Sequence, residues 1–296
     1  MIDVLVLGGV GVDTIVRVPS LTVPPGDSLG VGPIVDYVAH SGNGVALGFH
    51  ALGLRTSFVD FLGDDPAGAL IRARYAEVGL DFHTRPAPNG TPRAVNLVDD
   101  EGRRFSFFDG RHPAGLVLPE EAYLPLLRQA RHVHVAVGFA AGAFAHARAH
   151  GITTSTDIHS WDGEHPYALP MVGEADLVFL SAAGTPGRTD DLMRRILHLG
   201  RATAVIATDG AAGGLVLTKD DPEVRTYAAA TPEAPVVDSN GAGDAFSTAF
   251  MSRWLAGAPI DDCIRAGAVA GAFAATVPGT HERLITAPEL TAALTL

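Results

Sequence analysis

Short apolar runs alternate along this chain with longer stretches in which apolar residues recur at helical spacing. The runs at 4–8, 57–62, 132–137, 153–157, 177–180, 204–208 and 214–218 are rich in apolar or β-branched residues, and they read as central strands. Between them, 44–52, 68–77, 119–129, 190–199, 243–254 and 260–275 read as helices. Strands separated by helix-length segments predict a mostly parallel central sheet with helices on both sides, the three-layer α/β sandwich. Neither an internal repeat nor a low-complexity linker interrupts the pattern, so 1–296 reads as one domain.

Two regions break the alternation. Residues 14–38 are rich in Val, Pro and Gly without a helical period, and 92–109 read as a hairpin. In the hairpin, alternating runs at 93–98 and 103–108 flank an acidic turn, Asp99-Asp100-Glu101-Gly102. Both are β insertions in an α/β body. They predict either a small β lid over one end of it or two plain surface excursions. An exposed β insertion also offers a surface for a homodimer.

Composition narrows the chemistry. The chain has 296 residues, 47% of them hydrophobic and 18% charged, and of its 21 basic residues only Lys219 is a lysine. A Walker-type phosphate loop places a lysine directly after its last glycine, and Leu217-Thr218-Lys219-Asp220-Asp221 is no such loop. Nothing around Lys219 suggests the buried pocket of a Schiff-base lysine either. A net charge of −12 argues against nucleic acid and against an anionic membrane as partners. The single cysteine, Cys263, fits a reducing compartment, and the acidic, strand-like start is not a signal peptide. Residues 266–279 are too short to span a bilayer, so the expectation is a cytoplasmic protein. Any phosphate must be met by backbone amides, arginine or a metal ion.

Asp238-Ser239-Asn240-Gly241-Ala242-Gly243-Asp244 is the most specific segment. Its glycines let successive N–H groups point outward at a helix start, where the helix dipole adds to them and makes an anion site. Asp244 then lies in the first turn, placed either to accept a proton from an attacking hydroxyl or simply to open a helix. Other candidates carry less. His132 with His134, and His146 with His150, share faces without the partners a zinc site needs. Phe105, Phe107 and Phe108 form the apolar part of the hairpin and could stack on a ring.

This segment resembles the second signature of the ribokinase-like (PfkB) carbohydrate kinases. Ser41-Gly42-Asn43-Gly44-Val45-Ala46-Leu47-Gly48, with Phe61-Leu62-Gly63-Asp64-Asp65-Pro66-Ala67-Gly68 after it, resembles the first. Asp13 and Thr208-Asp209-Gly210-Ala211-Ala212-Gly213 fall in order around them. The resemblance implies that Asp244 is the catalytic base and that Gly241, Ala242 and Gly243 form the anion hole. It implies that Asp13, Gly42 and Asn43, with Asn96 as a further arm, hold the hydroxyls of a sugar, while Thr208, Gly210 and Gly213 border ATP. ATP and Mg²⁺ follow as cofactors, and a monovalent cation is allowed.

Two departures stand out: Ala46 replaces a family asparagine, and Ser181-Ala182-Ala183-Gly184 lacks the Asn-x-x-Glu motif that organises magnesium. The implied reaction is phosphorylation of a hydroxyl, expected to be primary, on a small sugar-like substrate. A nucleoside kinase and a degenerate kinase acting as a sensor are the alternatives. A dinucleotide site built on Gly42 to Gly48 with Asp60 on the ribose would leave the Asp238 segment unexplained.

Overall fold

In the first strand, Leu5 and Leu7 point to one side of a sheet and Val4 and Val6 to the other, and all four are fully buried. Both faces are therefore covered. The computed structural model describes residues 1–100 and 103–295. In chain order it begins with β1 (Ile2–Leu7), β2 (Gly11–Arg17), β3 (Val35–Ala39), α1 (Ser41–Ala51), β4 (Thr56–Leu62), α2 (Pro66–Val78) and β5 (Asp81–Pro86). Next come β6 (Arg93–Val98), β7 (Arg104–Asp109), α3 (Glu120–Leu127), β8 (Ala130–Val135), α4 (Gly142–Ala149), β9 (Thr153–Asp157), α5 (Leu169–Val172) and β10 (Leu177–Ser181). The chain ends with α6 (Thr189–Leu199), β11 (Ala204–Thr208), β12 (Gly214–Thr218), β13 (Arg225–Tyr227), α7 (Ala242–Leu255), α8 (Ile260–Ala274) and α9 (Ala287–Thr295).

The large sheet runs β13-β12-β11-β10-β9-β8-β1-β4-β5, and its pairs are parallel except that β12 runs antiparallel to both β11 and β13. Tyr123, Phe144, Met193 and Ile196, from α3, α4 and α6, cover the face that holds Leu5 and Leu7. Val45, Ile71, Phe250 and Ile264, from α1, α2, α7 and α8, cover the other. This is the expected three-layer sandwich.

A second sheet, β3-β2-β6-β7, stands at the carboxyl edge of the first. Its register puts Asp13 opposite Ala94 and Tyr37, and Asn96 opposite Ser106, all on one face. That face also carries Arg17, Arg104 and Phe108, whereas Val95, Phe105 and Phe107 lie exposed on the opposite one. The sheet begins three residues before the expected insertion, because β2 starts at Gly11. Residues Glu101 and Gly102 of the expected hairpin turn lie outside the described residues. No helix among the described residues is long and apolar enough to cross a membrane.

Candidate active site

Open α/β sheets bind ligands at the carboxyl ends of their strands, where the connections diverge. Here β1 ends in Gly8 and Gly9, with φ of 77° and 95°, values open to glycine at little cost. A Cβ on Gly9 would stand 2.8 Å from the Gly42 amide nitrogen, so this turn lies directly on the start of α1. Asp60 holds the turn from below: Val10 N–H donates to Oδ2 and Phe61 N–H to Oδ1, each at 2.7 Å. Burial pushes the Asp60 carboxyl up to about 7, against the pull of these backbone donors. Asp60 is thus a turn support, which removes the ribose contact of the dinucleotide reading.

Asp13 and Asn96 meet at the base of the small sheet, where Asn96 Nδ2 donates to Asp13 Oδ2 at 2.8 Å. Their other oxygens, Asp13 Oδ1 and Asn96 Oδ1, are buried with no hydrogen-bond partner among the described residues. His40 Nε2 stands 3.2 Å from Asp13 Oδ1 but out of line for a hydrogen bond, and it too is unpartnered. His40 takes φ of 73°, a strained value for a residue with a Cβ, and its ring contacts Phe108 at 5.4 Å. Sequence reasoning missed His40, although it directly precedes the Ser41-Gly42-Asn43 run.

Gly42 and Asn43 open α1 beside the Gly8-Gly9 turn, and Asn43 departs from its expected place. A Cβ on Gly42 would overlap the Gly8 carbonyl, so Gly42 serves the close approach of two backbones. Asn43 is fully buried: Nδ2 donates to the Val38 carbonyl at 3.1 Å, and Oδ1 accepts from Tyr75 Oη at 2.7 Å. Its amide faces the protein interior, which corrects the expectation of a sugar contact. Ala46, one turn later, is fully buried in the core, so the missing asparagine leaves no gap in the cleft.

The Asp238 segment opens α7 as expected. Gly241 takes φ of 74° ahead of the first turn, where the leading N–H groups lack intrahelical acceptors. A Cβ on Gly243 would meet nothing within 4 Å, so space is open in front of these amides. Asp244 in that turn lies 2.9 Å from His281 Nε2. Two arginines from the small sheet reach the segment: Arg17 pairs with Asp238 Oδ2 at 3.2 Å, and Arg104 hydrogen-bonds Asn240 Oδ1. The other Asp238 oxygen accepts from the backbone N–H and the side-chain amide of Asn240. At the end of β9, burial raises the Asp157 carboxyl and the Asp244 charge raises it further, while His159 opposes both. His281, Asp157, Arg17 and Arg104 had no local signal in the sequence.

On the far side of α7, a chamber of about 1120 Å³ lies between the Ala228-to-Ala234 loop, α8 and α9. Ala268, Val269, Ala272, Phe273 and Thr276 give it a largely apolar wall. Neighbouring Ala275 accepts from the Val237 and Asp238 N–H groups, so one end adjoins the anion segment. Thr208, Gly210 and Gly213 do not line the chamber. Gly213 touches its rim, since a Cβ there would stand 2.8 Å from the Ala229 nitrogen, and Gly210 is open with φ of 52°.

The stretch Ser181-Ala182-Ala183-Gly184 forms a short 3₁₀ turn without a carboxylate. No group of three or more His, Cys, Asp or Glu suited to a metal occurs among the described residues. His132 and His134 are buried and share the Ser155 hydroxyl at 2.7 and 2.9 Å, as core hydrogen-bonders.

Residues 1–287 match the pfkB family carbohydrate kinases. The chain is 50% identical over 289 residues, 94% of each chain, to the acarbose 7(IV)-phosphotransferase of Actinoplanes sp.. It is 27% identical to the fructoselysine 6-kinase of Escherichia coli, over 81% of this chain and 91% of that one. The solved structure of a microbiome-derived acarbose kinase superimposes with a TM-score of 0.93 at 41% identity, covering 100% of both chains. The Arabidopsis thaliana ribokinase, solved with ribose and ATP, has a TM-score of 0.81 at 18% identity over 100% of this chain and 99% of that one, a likeness of fold. With its ribokinase-like architecture, this chain belongs to the pfkB family of carbohydrate kinases and is an ATP-dependent sugar kinase.

Proposed function

We propose that the chain transfers the γ-phosphoryl group of ATP to a hydroxyl, expected to be primary, of acarbose or a sugar close to it. The observation that carries a hydroxyl-bearing acceptor is the pair of buried, unpartnered oxygens, Asp13 Oδ1 and Asn96 Oδ1. Buried acceptors without donors are costly, and sugar O–H groups would satisfy both. Phe108, on the same face, offers a ring to a sugar face. Acarbose itself is suggested by the relative that is 50% identical over 94% of both chains.

In this reading Asp244 accepts the proton of the acceptor hydroxyl as its oxygen forms a bond to the γ-phosphorus. The bond from that phosphorus to the ADP oxygen breaks, and the pair of electrons leaves with ADP. The N–H groups of Gly241, Ala242 and Gly243 and the dipole of α7 stabilise the equatorial oxygens. The apolar chamber beside Thr276 takes the nucleotide base, with Gly213 at its rim. Magnesium fits the carboxylate of Asp157, a hard oxygen donor that lies near the Asp244 charge, and when bound it would offset phosphate charge.

The test is ADP release with acarbose, ribose, fructoselysine and adenosine as acceptors. Acarbose should give the highest kcat/KM, and a higher value for ribose or adenosine overturns the assignment. Asp244→Asn should lower kcat by about 10²–10⁴-fold, the usual contribution of a general base, with acceptor binding little changed. An Asp244→Asn enzyme that keeps most of its turnover would remove Asp244 as the base.

A further inference from the structure

We propose that His281 is the positioning residue of the catalytic base, donating from Nε2 to one Asp244 oxygen so that the other is presented to the acceptor hydroxyl. The proposal rests on the reading of Asp244 as the base. His281 comes from the loop after α8, and its side chain is 1% exposed. Its Nε2 lies 2.9 Å from Asp244 Oδ2, and its Nδ1 lies 2.9 Å from Asn43 Nδ2.

The surroundings of Asn43 fix the direction of these bonds. The Val38 carbonyl can only accept, so the Asn43 atom 3.1 Å from it is the amide nitrogen. Tyr75 Oη at 2.7 Å then donates to the amide oxygen. The same amide nitrogen faces His281 Nδ1, which must therefore accept. The ring proton is on Nε2, and it points at Asp244. A chain of directed bonds thus runs from Tyr75 through Asn43 and His281 to the base.

Two glycines keep room for this ring. A Cβ on Gly44 would overlap His281 Nε2 and crowd Asp244 Oδ2. A Cβ on Gly241 would lie 2.7 Å from His281 Cδ2 and 2.8 Å from Nε2. Gly44 in the first signature and Gly241 in the second therefore flank one imidazole. Holding one oxygen removes the rotational freedom of a first-turn aspartate, and misplacing a reacting group by about 1 Å can cost about 10²-fold in rate.

The experiment compares three substitutions at 281. His281→Asn keeps an acceptor for Asn43 but is too short to reach Asp244, His281→Ala keeps neither bond, and His281→Gln can still donate to Asp244. The expected kcat falls by about 10- to 100-fold in His281→Asn and His281→Ala, with both KM values within about threefold of the parent. His281→Gln should return kcat to within about fivefold. In an Asp244→Asn background, His281→Asn should cause no further loss. Melting temperatures identify any variant that fails to fold. For that case, Tyr75→Phe loosens Asn43 from outside the cleft and should lower kcat about three- to tenfold at unchanged KM. Parental kcat in His281→Asn, or in Tyr75→Phe if the former does not fold, overturns the proposal while an inactive Asp244→Asn leaves the base intact. An active Asp244→Asn instead overturns the reading beneath it.

Discussion

Asp60 and Asp244 both neighbour glycine turns, and their surroundings give them different work. Asp60 is 1% exposed, and its two oxygens receive the Val10 and Phe61 N–H groups. Asp244 has a side chain 14% exposed, beside the open space in front of Gly243. Asp60→Asn would point an NH₂ group at one of two backbone N–H donors. Leaving a buried donor unsatisfied costs about 1–3 kcal/mol, so urea unfolding should show a loss of that size. Parental stability would mean that the β1–β2 turn does not depend on Asp60. The sequence already exposed Asp244 and Asp13, because each follows or sits inside a local motif. It hid His281, whose partners Asp244 and Asn43 lie 37 and 238 positions away. A lone histidine in a loop carries no periodicity, so only folding reveals its neighbours. Asn43 misled for a related reason: spacing put it in the signature, but the helix face it occupies looks toward Tyr75 rather than the cleft.

At the scale of elements, the core strands were readable because short runs of apolar or β-branched residues alternate with helix-length segments, and 153–157, 204–208 and 214–218 match β9, β11 and β12 at both ends. The edges were harder. β5 runs Asp-Phe-His-Thr-Arg-Pro with half its residues exposed, and β13 has only three residues, so neither stands out from loop sequence. The small sheet carries the element-scale consequence. Its Arg17 is partly exposed, but the Asp238 side chain it meets is 3% exposed. That contact ties the sheet to the segment that builds the anion site. An ion pair with one exposed partner contributes about 0.2–1 kcal/mol, equivalent to at most about a fivefold change in an equilibrium. If the sheet closes over the acceptor, Arg17→Gln should raise the acceptor KM by up to about fivefold while the KM for ATP changes less. Steady-state kinetics decides it, and a rise confined to the KM for ATP would assign Arg17 to the nucleotide instead.

Across the whole molecule, buried titratable groups set opposing responses to acid. Burial lowers His132 to about 4 and His134 to about 3, so the folded protein keeps both neutral where an unfolded chain protonates them near 6.5. Between those values the unfolded state binds more protons, and stability therefore falls as pH drops from about 6.5 toward 4. Asp60 acts with the opposite sign: raised to about 7, it is protonated when folded and ionised when unfolded across the same window, so its contribution grows as pH falls. His112, lowered by burial, adds to the histidine side, and Asp157, raised by burial, adds to the carboxyl side. With these last two opposed, two histidines face one aspartate, leaving a net loss on the order of 1 kcal/mol per pH unit. Urea midpoints at pH 6.5, 5.5 and 4.5 should decline steadily. In Asp60→Asn the opposing group is gone, so the decline should be about twice as steep. A midpoint that holds constant or rises toward pH 4.5 would show that the histidine pair is not held neutral within the fold.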